Sequence, residues 1–292
     1  MANLEHTRGQ RLDQKVVELL PELSRAFASK LIDEGKVKVN GVVQTKAGVK
    51  LRAGDSIDVD YDDAEQQAIP DIELPIVFED DDCVVIIKSV GLLTHSKGAF
   101  NPEPTVATWL FRHCAAKGAP LEGEVNARAG IVHRLDRATS GIMICAKNTT
   151  ALMHLQKQFS QRKTKKTYYA VVRGMPKHEA AVIDMPIERN PKAPATFRVG
   201  NQGKPAKTTY KIEAADGDYS LLKLTPETGR THQLRVHLLQ LGHPIVGDTM
   251  YGGEPADRLF LHAAELEVTI PKGSERKVFS AEVPKEFWSW VR

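Results

Sequence analysis

Four ionisable side chains, His133, Arg134, Asp136 and Arg137, fall within five consecutive positions. They lie between the apolar runs Gly130-Ile131-Val132 and Ile142-Met143-Ile144-Cys145-Ala146. The runs predict two short buried strands, with the polar segment as the loop between them. A carboxylate flanked by cations stays ionised, because nearby positive charge favours the charged form. Held at a surface by two strands, Asp136 is placed as a scaffold usually mounts a reactive group, and an ionised carboxylate suits nucleophilic chemistry. The plainer reading is a hairpin whose Asp satisfies turn backbone and whose arginines are solvated. A Ser/His/Asp hydrolase built from Ser140, His133 and Asp136 is disfavoured. Those residues crowd one eight-residue span without Gly-x-Ser-x-Gly, whereas triads gather residues from distant segments.

Two further stretches carry chemistry-bearing side chains. Lys166-Thr167-Tyr168-Tyr169-Ala170-Val171-Val172-Arg173-Gly174 predicts a strand, which puts Tyr168 and Tyr169 on opposite faces of its sheet. Thr228-Gly229-Arg230-Thr231-His232-Gln233-Leu234-Arg235-Val236-His237 opens a predicted helix carrying Leu234, Leu238 and Leu241, closed by Gly242-His243-Pro244. Five-residue spacing puts His232 and His237 on different helix faces. With no His-Glu-x-x-His or cysteine cluster, no metal site is expected.

These segments need a scaffold, and 292 residues suffice for one large domain and one small one. A hydrophobic share of 41% and a charged share of 26% are ordinary globular values. The first residues lack the pattern of a signal peptide, no apolar run approaches a membrane span, and Cys83, Cys114 and Cys145 are widely spaced. A reducing, cytoplasmic setting with buried thiols is expected. The net charge of +3 hides an asymmetry. Residues 1–54 hold ten basic and six acidic residues, 55–82 hold twelve acidic and none basic, and 83–292 hold thirty basic and nineteen acidic. Two basic blocks around an acidic span predict two domains with a polyanion as partner.

Within residues 1–60, Leu12, Val16, Leu19, Leu20 and Leu23 recur near helical spacing. A second helix through Phe27, Leu31 and Ile32 is predicted from an N-cap at Ser24 to Gly35. Val37 to Val43 alternate around Asn40-Gly41, a strong signal for a two-residue hairpin. Residues 61–75, acidic and broken by Pro70, read as a linker to a large domain over 76–292.

His133-Arg134-Leu135-Asp136 followed by Thr139-Ser140-Gly141 resembles the signature of the RluA-type pseudouridine synthases, the RNA uridine isomerases. The Lys166-x-Tyr168-x-Ala170 strand and the Thr228-Gly229-Arg230-x-His232-Gln233-Leu234-Arg235 run, with Gly242-His243-Pro244-Ile245-x-Gly247-Asp248 and Tyr251 beyond, continue the likeness in the same order. Ser89 and Ser96 depart from it, standing where the family usually has proline. Residues 1–60 resemble the small RNA-binding domain first known from ribosomal protein S-four. That likeness implies RNA contacts at Arg25, Lys30, Lys36 and Lys38.

The resemblance implies an α+β fold: a mixed, mainly antiparallel central sheet with flanking helices, plus the small N-terminal α+β domain. It implies Asp136 as the catalytic carboxylate, Arg235 as its ionic partner and Tyr168 as the ring over the target base, with a share in removing the carbon-5 proton. Arg134 would fill the stack vacated by a flipped uridine, Arg230 would lie nearer the RNA backbone, and His133 joins them as an RNA contact. Isomerisation needs no redox partner, metal or phosphate donor. No cofactor is expected, in keeping with a sequence that has no P-loop or dinucleotide fingerprint. The implied partner is RNA, most readily of the large ribosomal subunit. The alternatives are a synthase acting on transfer RNA and a non-catalytic RNA-binding protein of ribosome assembly.

Overall fold

The computed structural model describes residues 9–21, 23, 25–61, 69–96, 103–119, 121 and 130–292. The expected N-cap Ser24 and residues 62–68 of the expected linker lie outside them. Two compact units form. Of the described residues, one takes in those from 9 to 72 and from 95 to 109; the other takes in those from 73 to 94, from 110 to 121 and from 130 to 292.

In the first unit, helices α1 (Leu12–Leu19) and α2 (Arg25–Asp33) precede strands β1 (Val37–Val39), β2 (Val42–Gln44) and β3 (Ile57–Val59). The strands form an antiparallel sheet in the order β2-β1-β3. Asn40 and Gly41 both have positive φ, 52° and 77°, and Val39 pairs with Val42. That is the two-residue loop whose twist matches its strands. Leu12, Val16, Leu31, Ile32, Val37 and Val39 make the core, so the helix and strand periods converge on one apolar interior.

The second unit is organised on a mixed sheet that has nine strands among the described residues. Its elements begin with β4 (Ile76–Glu79) and β5 (Cys83–Lys88). After α3 (Val106–Ala116), β6 (Ser140–Ala146), α4 (Thr149–Ser160), β7 (Lys165–Arg173) and β8 (Ala180–Asp184) follow. A separate hairpin, β9 (Ile187–Arg189) and β10 (Phe197–Val199), comes next. Then come β11 (Lys207–Ala215), β12 (Tyr219–Pro226), α5 (Gln233–Gln240), β13 (Leu261–Thr269), β14 (Arg276–Ser280) and α6 (Lys285–Trp288). The order is β4-β5-β6-β13-β7-β12-β11-β8, with β14 also on β13. The β6–β13 pair is parallel, and its neighbours are antiparallel.

Every residue of β6 is buried, as expected of a strand covered on both faces. Cys83, Cys114 and Cys145 are free and buried, and burial pushes the Cys83 and Cys145 thiols up to about 12. They pack as small apolar groups. Among the described residues no helix is long and apolar enough to cross a membrane.

Two features of the sheet set up the site. Strand β13 is a branch point: His262 and Ala263 pair with the start of β6, while Glu265 to Thr269 pair with β14. The register then aligns Gly141, Ala263 and Tyr168 in one row across β6, β13 and β7. Gly141 has φ +124°, and a Cβ there would lie 2.2 Å from the Ala263 carbonyl oxygen, so only glycine lets these strands meet. The segment before β6 is less regular than its apolar pattern predicts. Of Gly130-Ile131-Val132, only Ile131 makes a bridge, to Cys145. The backbone then leaves the sheet edge to form the His133–Thr139 loop.

Candidate active site

The loop carrying Asp136 is bonded through its backbone on several sides. Thr94 Oγ1 donates to the Leu135 carbonyl at 2.9 Å, and the Leu135 side chain is buried. The Thr139 N–H donates to the Asp136 carbonyl at 3.0 Å. The Gly91 N–H donates to the Arg137 carbonyl at 2.8 Å, and Arg137 Nε donates back to Gly91 at 3.0 Å. Beneath them Lys88 is fully buried, and its Nζ donates to the carbonyls of Ser89, Leu92 and Arg137 at 2.8, 2.8 and 3.3 Å. Burial brings the Lys88 ammonium down to about 7 against the pull of Asp136. Sequence reasoning passed over this lysine, whose one visible signal was a charge closing a wholly apolar strand.

Fixed in this way, Asp136 opens onto a cavity of about 420 Å³. That is the lower part of the range for small-ligand pockets and matches a single nucleotide better than a helix. Arg134, Arg162, Lys166, Arg230 and Arg235 line it, against Asp136 and Glu227 as the acidic side chains, so its field favours an anionic ligand. Tyr168 and His232 line it as well.

The Asp136 carboxylate is 23% exposed. Its near cationic or imidazole groups are Arg235 Nη1 at 3.8 Å and His232 Nε2 at 3.9 Å. Both lie at ion-pair range, beyond hydrogen-bond length. The expected Arg235–Asp136 pair is therefore present but loose. The tight partner of Arg235 is Asp248, to which Nε and Nη2 donate at 2.7 and 2.6 Å in a two-pronged, buried contact. The guanidinium also lies 4.8 Å from the Tyr251 ring centre. The Gly247-Asp248 dipeptide was visible in the sequence without a role. Its role is a through-space contact that spacing does not encode.

The helix-opening motif divides its side chains between the cavity and the interior. Arg230, His232 and Arg235 line the cavity. Thr228 and Gln233 line it too while bonded inward, and His237 is buried away from it. Gln233 Nε2 donates to Lys207 and Thr208, and the His237 ring bonds Thr208 Oγ1 and the Met185 carbonyl.

Burial, aided by the Asp136 charge, raises the Tyr168 phenol. Arg134 is exposed at the rim. His133 lines the cavity, yet its ring is committed elsewhere: Nε2 accepts the Ile144 N–H at 3.1 Å, and the imidazole stacks on Phe159 at 4.5 Å. Burial, with the Lys166 charge, takes its pKa down to about 3, so the ring braces the loop as a neutral group.

Of the groups expected in the N-terminal unit, Lys36 and Lys38 are exposed, Lys38 between the buried Val37 and Val39. Lys30 lies 3.7 Å from Glu34. Arg25 Nε donates to the buried Asp13 at 2.9 Å, which Arg11 also contacts at 2.9 Å. Arg25 therefore helps hold α1 to α2.

This combination, a fixed carboxylate in a basic, nucleotide-sized cavity on a branched sheet, agrees with what comparison with known proteins shows. The family model described as RNA pseudouridylate synthase matches residues 82–240, and the S4 domain model matches residues 10–57. The chain belongs to the RNA pseudouridylate synthase family, and it is an RNA-modifying enzyme with an S4 domain. A protein of Aquifex aeolicus called an uncharacterized RNA pseudouridine synthase is 36% identical over 97% of this chain and 94% of its own length. Ribosomal large subunit pseudouridine synthase D of Vibrio parahaemolyticus is 37% identical over 95% of this chain and 89% of its own. Among solved structures, human RNA pseudouridylate synthase domain containing 4 superposes with a TM-score of 0.59 at 25% identity. That match covers 73% of this chain and 90% of the human one.

Proposed function

We propose that this enzyme converts uridines of large-subunit ribosomal RNA to pseudouridine in the cytoplasm, with Asp136 as its catalytic carboxylate. The observation that carries the reading is the placement of Asp136: a side chain free to react, on a backbone bonded from Thr94, Gly91 and Lys88. The relatives named for the large ribosomal subunit support the choice of RNA.

In the reaction the bond from ribose C1′ to uracil N1 breaks, the base turns, and C1′ bonds to C5. The C5 proton is lost and N1 gains one, so the change is an isomerisation. A uridine in structured RNA must first leave its stack. Arg134 at the rim takes the vacated place, and Tyr168 lies over the flipped base. The raised Tyr168 pKa keeps the phenol protonated at neutral pH. It takes the C5 proton only after giving up its own, to the uracil N1 freed when the bond to C1′ breaks, and covalent bonding of Asp136 eases that ionisation by removing the neighbouring negative charge. Arg235 is the ionic partner of Asp136, and Arg230, whose Nε is bonded to the Pro205 carbonyl at 3.1 Å, turns its remaining N–H groups to phosphate. The N-terminal domain, residues 1–60, joined through the acidic stretch 61–75 to a catalytic domain over 76–292, adds affinity through Lys36 and Lys38.

The test maps pseudouridine in unmodified ribosomal and transfer RNA incubated with the wild type and with Asp136→Asn. New sites in large-subunit RNA with the wild type, none with the variant, and equal RNA binding are expected. Modification confined to transfer RNA would overturn the substrate assignment. Full activity of Asp136→Asn would overturn the catalytic one.

A further inference from the structure

His232 has φ 56° and ψ 20°, the left-handed region, at the residue that opens α5, and its side chain makes no capping bond there. A non-glycine residue is disfavoured in that region, and such strain persists where surrounding contacts enforce it. Here the contacts aim the imidazole. Nδ1 is 2.7 Å from the Tyr251 hydroxyl, and Nε2 points toward Asp136 Oδ2 at 3.9 Å. Phe197 and Tyr251 stand edge-on to the ring, each with centroids 5.5 Å away.

The hydrogen bonds select the tautomer. The Phe197 N–H donates to the Tyr251 hydroxyl oxygen at 2.9 Å, and burial keeps that phenol protonated. Its own O–H has His232 Nδ1 as its acceptor among the described residues, which leaves the ring proton on Nε2, toward Asp136. Burial lowers the His232 pKa in spite of the pull of Asp136, so the ring is neutral at pH 7. Arg235, bonded twice to Asp248, reaches Asp136 only at 3.8 Å.

We propose that His232, with its proton on Nε2 through Tyr251, is a positioning residue that donates to the Asp136 carboxylate and sets the rotamer in which it reacts. This rests on the reading of Asp136 as the catalytic carboxylate. A shift of about 1 Å closes the 3.9 Å gap to hydrogen-bond length, as catalytic contacts commonly tighten on substrate.

Single-turnover pseudouridine formation on transcribed large-subunit and transfer RNA, with RNA affinity measured alongside, tests the proposal in the full chain. His232→Ala is expected to lower the rate constant about 30-fold with affinity within twofold, the scale of a misplaced reacting group. His232→Gln places an amide N–H near the Nε2 position and should regain about tenfold. His232→Asn reaches only the Nδ1 position and should not. Tyr251→Phe, which frees the tautomer, should lower the rate about tenfold at unchanged affinity. A His232→Ala rate within twofold of wild type overturns the proposal, as does a Gln variant no faster than the Ala variant. If the Ala variant does not fold, the comparison of Gln with Asn decides, and equal rates overturn the proposal. A wild type inactive on both RNAs would instead sink the proposed function.

Discussion

Removing the charge of Asp248 should weaken the fold and the chemistry together. The Arg235–Asp248 contact is two-pronged, at 2.7 and 2.6 Å, between side chains only 8% and 1% exposed. Asp248→Asn leaves a buried guanidinium without its counter-charge, a change that costs about 3–5 kcal/mol in comparable settings. Asp136, 3.8 Å from the same guanidinium and partly solvated, can take up part of the charge, which places the expected loss near 3 kcal/mol. For a unit of this size that corresponds to a fall of about 6–12 °C in Tm.

The same relaxation draws Arg235 onto Asp136 and pins the reactive carboxylate, so single-turnover pseudouridine formation should fall about tenfold, or 1.4 kcal/mol. Urea unfolding of Asp248→Asn, Arg235→Met and the double variant forms a cycle that isolates the pair. Each single variant strands one buried charge, whereas the double variant strands neither and should recover most of the loss. A single-variant loss below about 1 kcal/mol, or a double variant as unstable as the sum of the singles, refutes the argument.

Glu79 carries a pH prediction. Burial alone would raise its pKa, but hydrogen bonds from Lys117, Lys147 and His113 outweigh it and leave the carboxyl at about 2. A pKa depressed in the folded state adds stability above the ordinary value near 4.5 that is lost as pH falls toward 2. The unfolding free energies of wild type and Glu79→Gln from urea titration, separated at pH 7 by about 3 kcal/mol, should therefore converge by pH 2; a constant separation counts against the ion-pair cluster. Gly141→Ala would drive a methyl group into the Ala263 backbone, and a loss of more than about 3 kcal/mol is expected in thermal unfolding. A near-neutral result would mean that β6 and β13 do not approach as described. Imidazole NMR should show His133 protonated on Nδ1 and silent between pH 8 and 5, and a midpoint near 6.5 would contradict its buried acceptor role.

Local patterns made much of the architecture legible. The Asn40-Gly41 turn, the alternating Val37 and Val39, the apolar β5 and β6 and the amphipathic helices follow from side-chain period and turn chemistry. Long-range pairings were not visible in this way. The pairing of β13 with β7 shifts register between Ala263 and Glu265, where β13 passes from β6 to β14 as its other partner, and no local pattern marks that point. Ile131 has the apolar neighbours of a strand residue but makes only one bridge, because the loop backbone is drawn away to Thr94 and Gly91. In the site, Asp136, Tyr168 and Arg235 lay in quotable motifs. Lys88, Asp248 and Tyr251 act through contacts with residues far along the chain, and their motifs do not state which atom each touches.

The contrast between Asp136 and Asp248 is what the proposed mechanism draws on. Both carboxylates face Arg235, yet Asp248 is almost fully buried and receives two short charge-assisted bonds, whereas Asp136 is 23% exposed and sits 3.8 Å away. Such bonds occupy a carboxylate's lone pairs, which suits a structural anchor. A cation at ion-pair distance attracts a carboxylate without occupying those lone pairs. The anchor thus holds the cation 3.8 Å from Asp136, and in the proposed reaction that spacing leaves the Asp136 oxygen accessible to the substrate. The rigidity that Asp136 lacks in its side chain is supplied to its backbone by Lys88, Gly91 and Thr94.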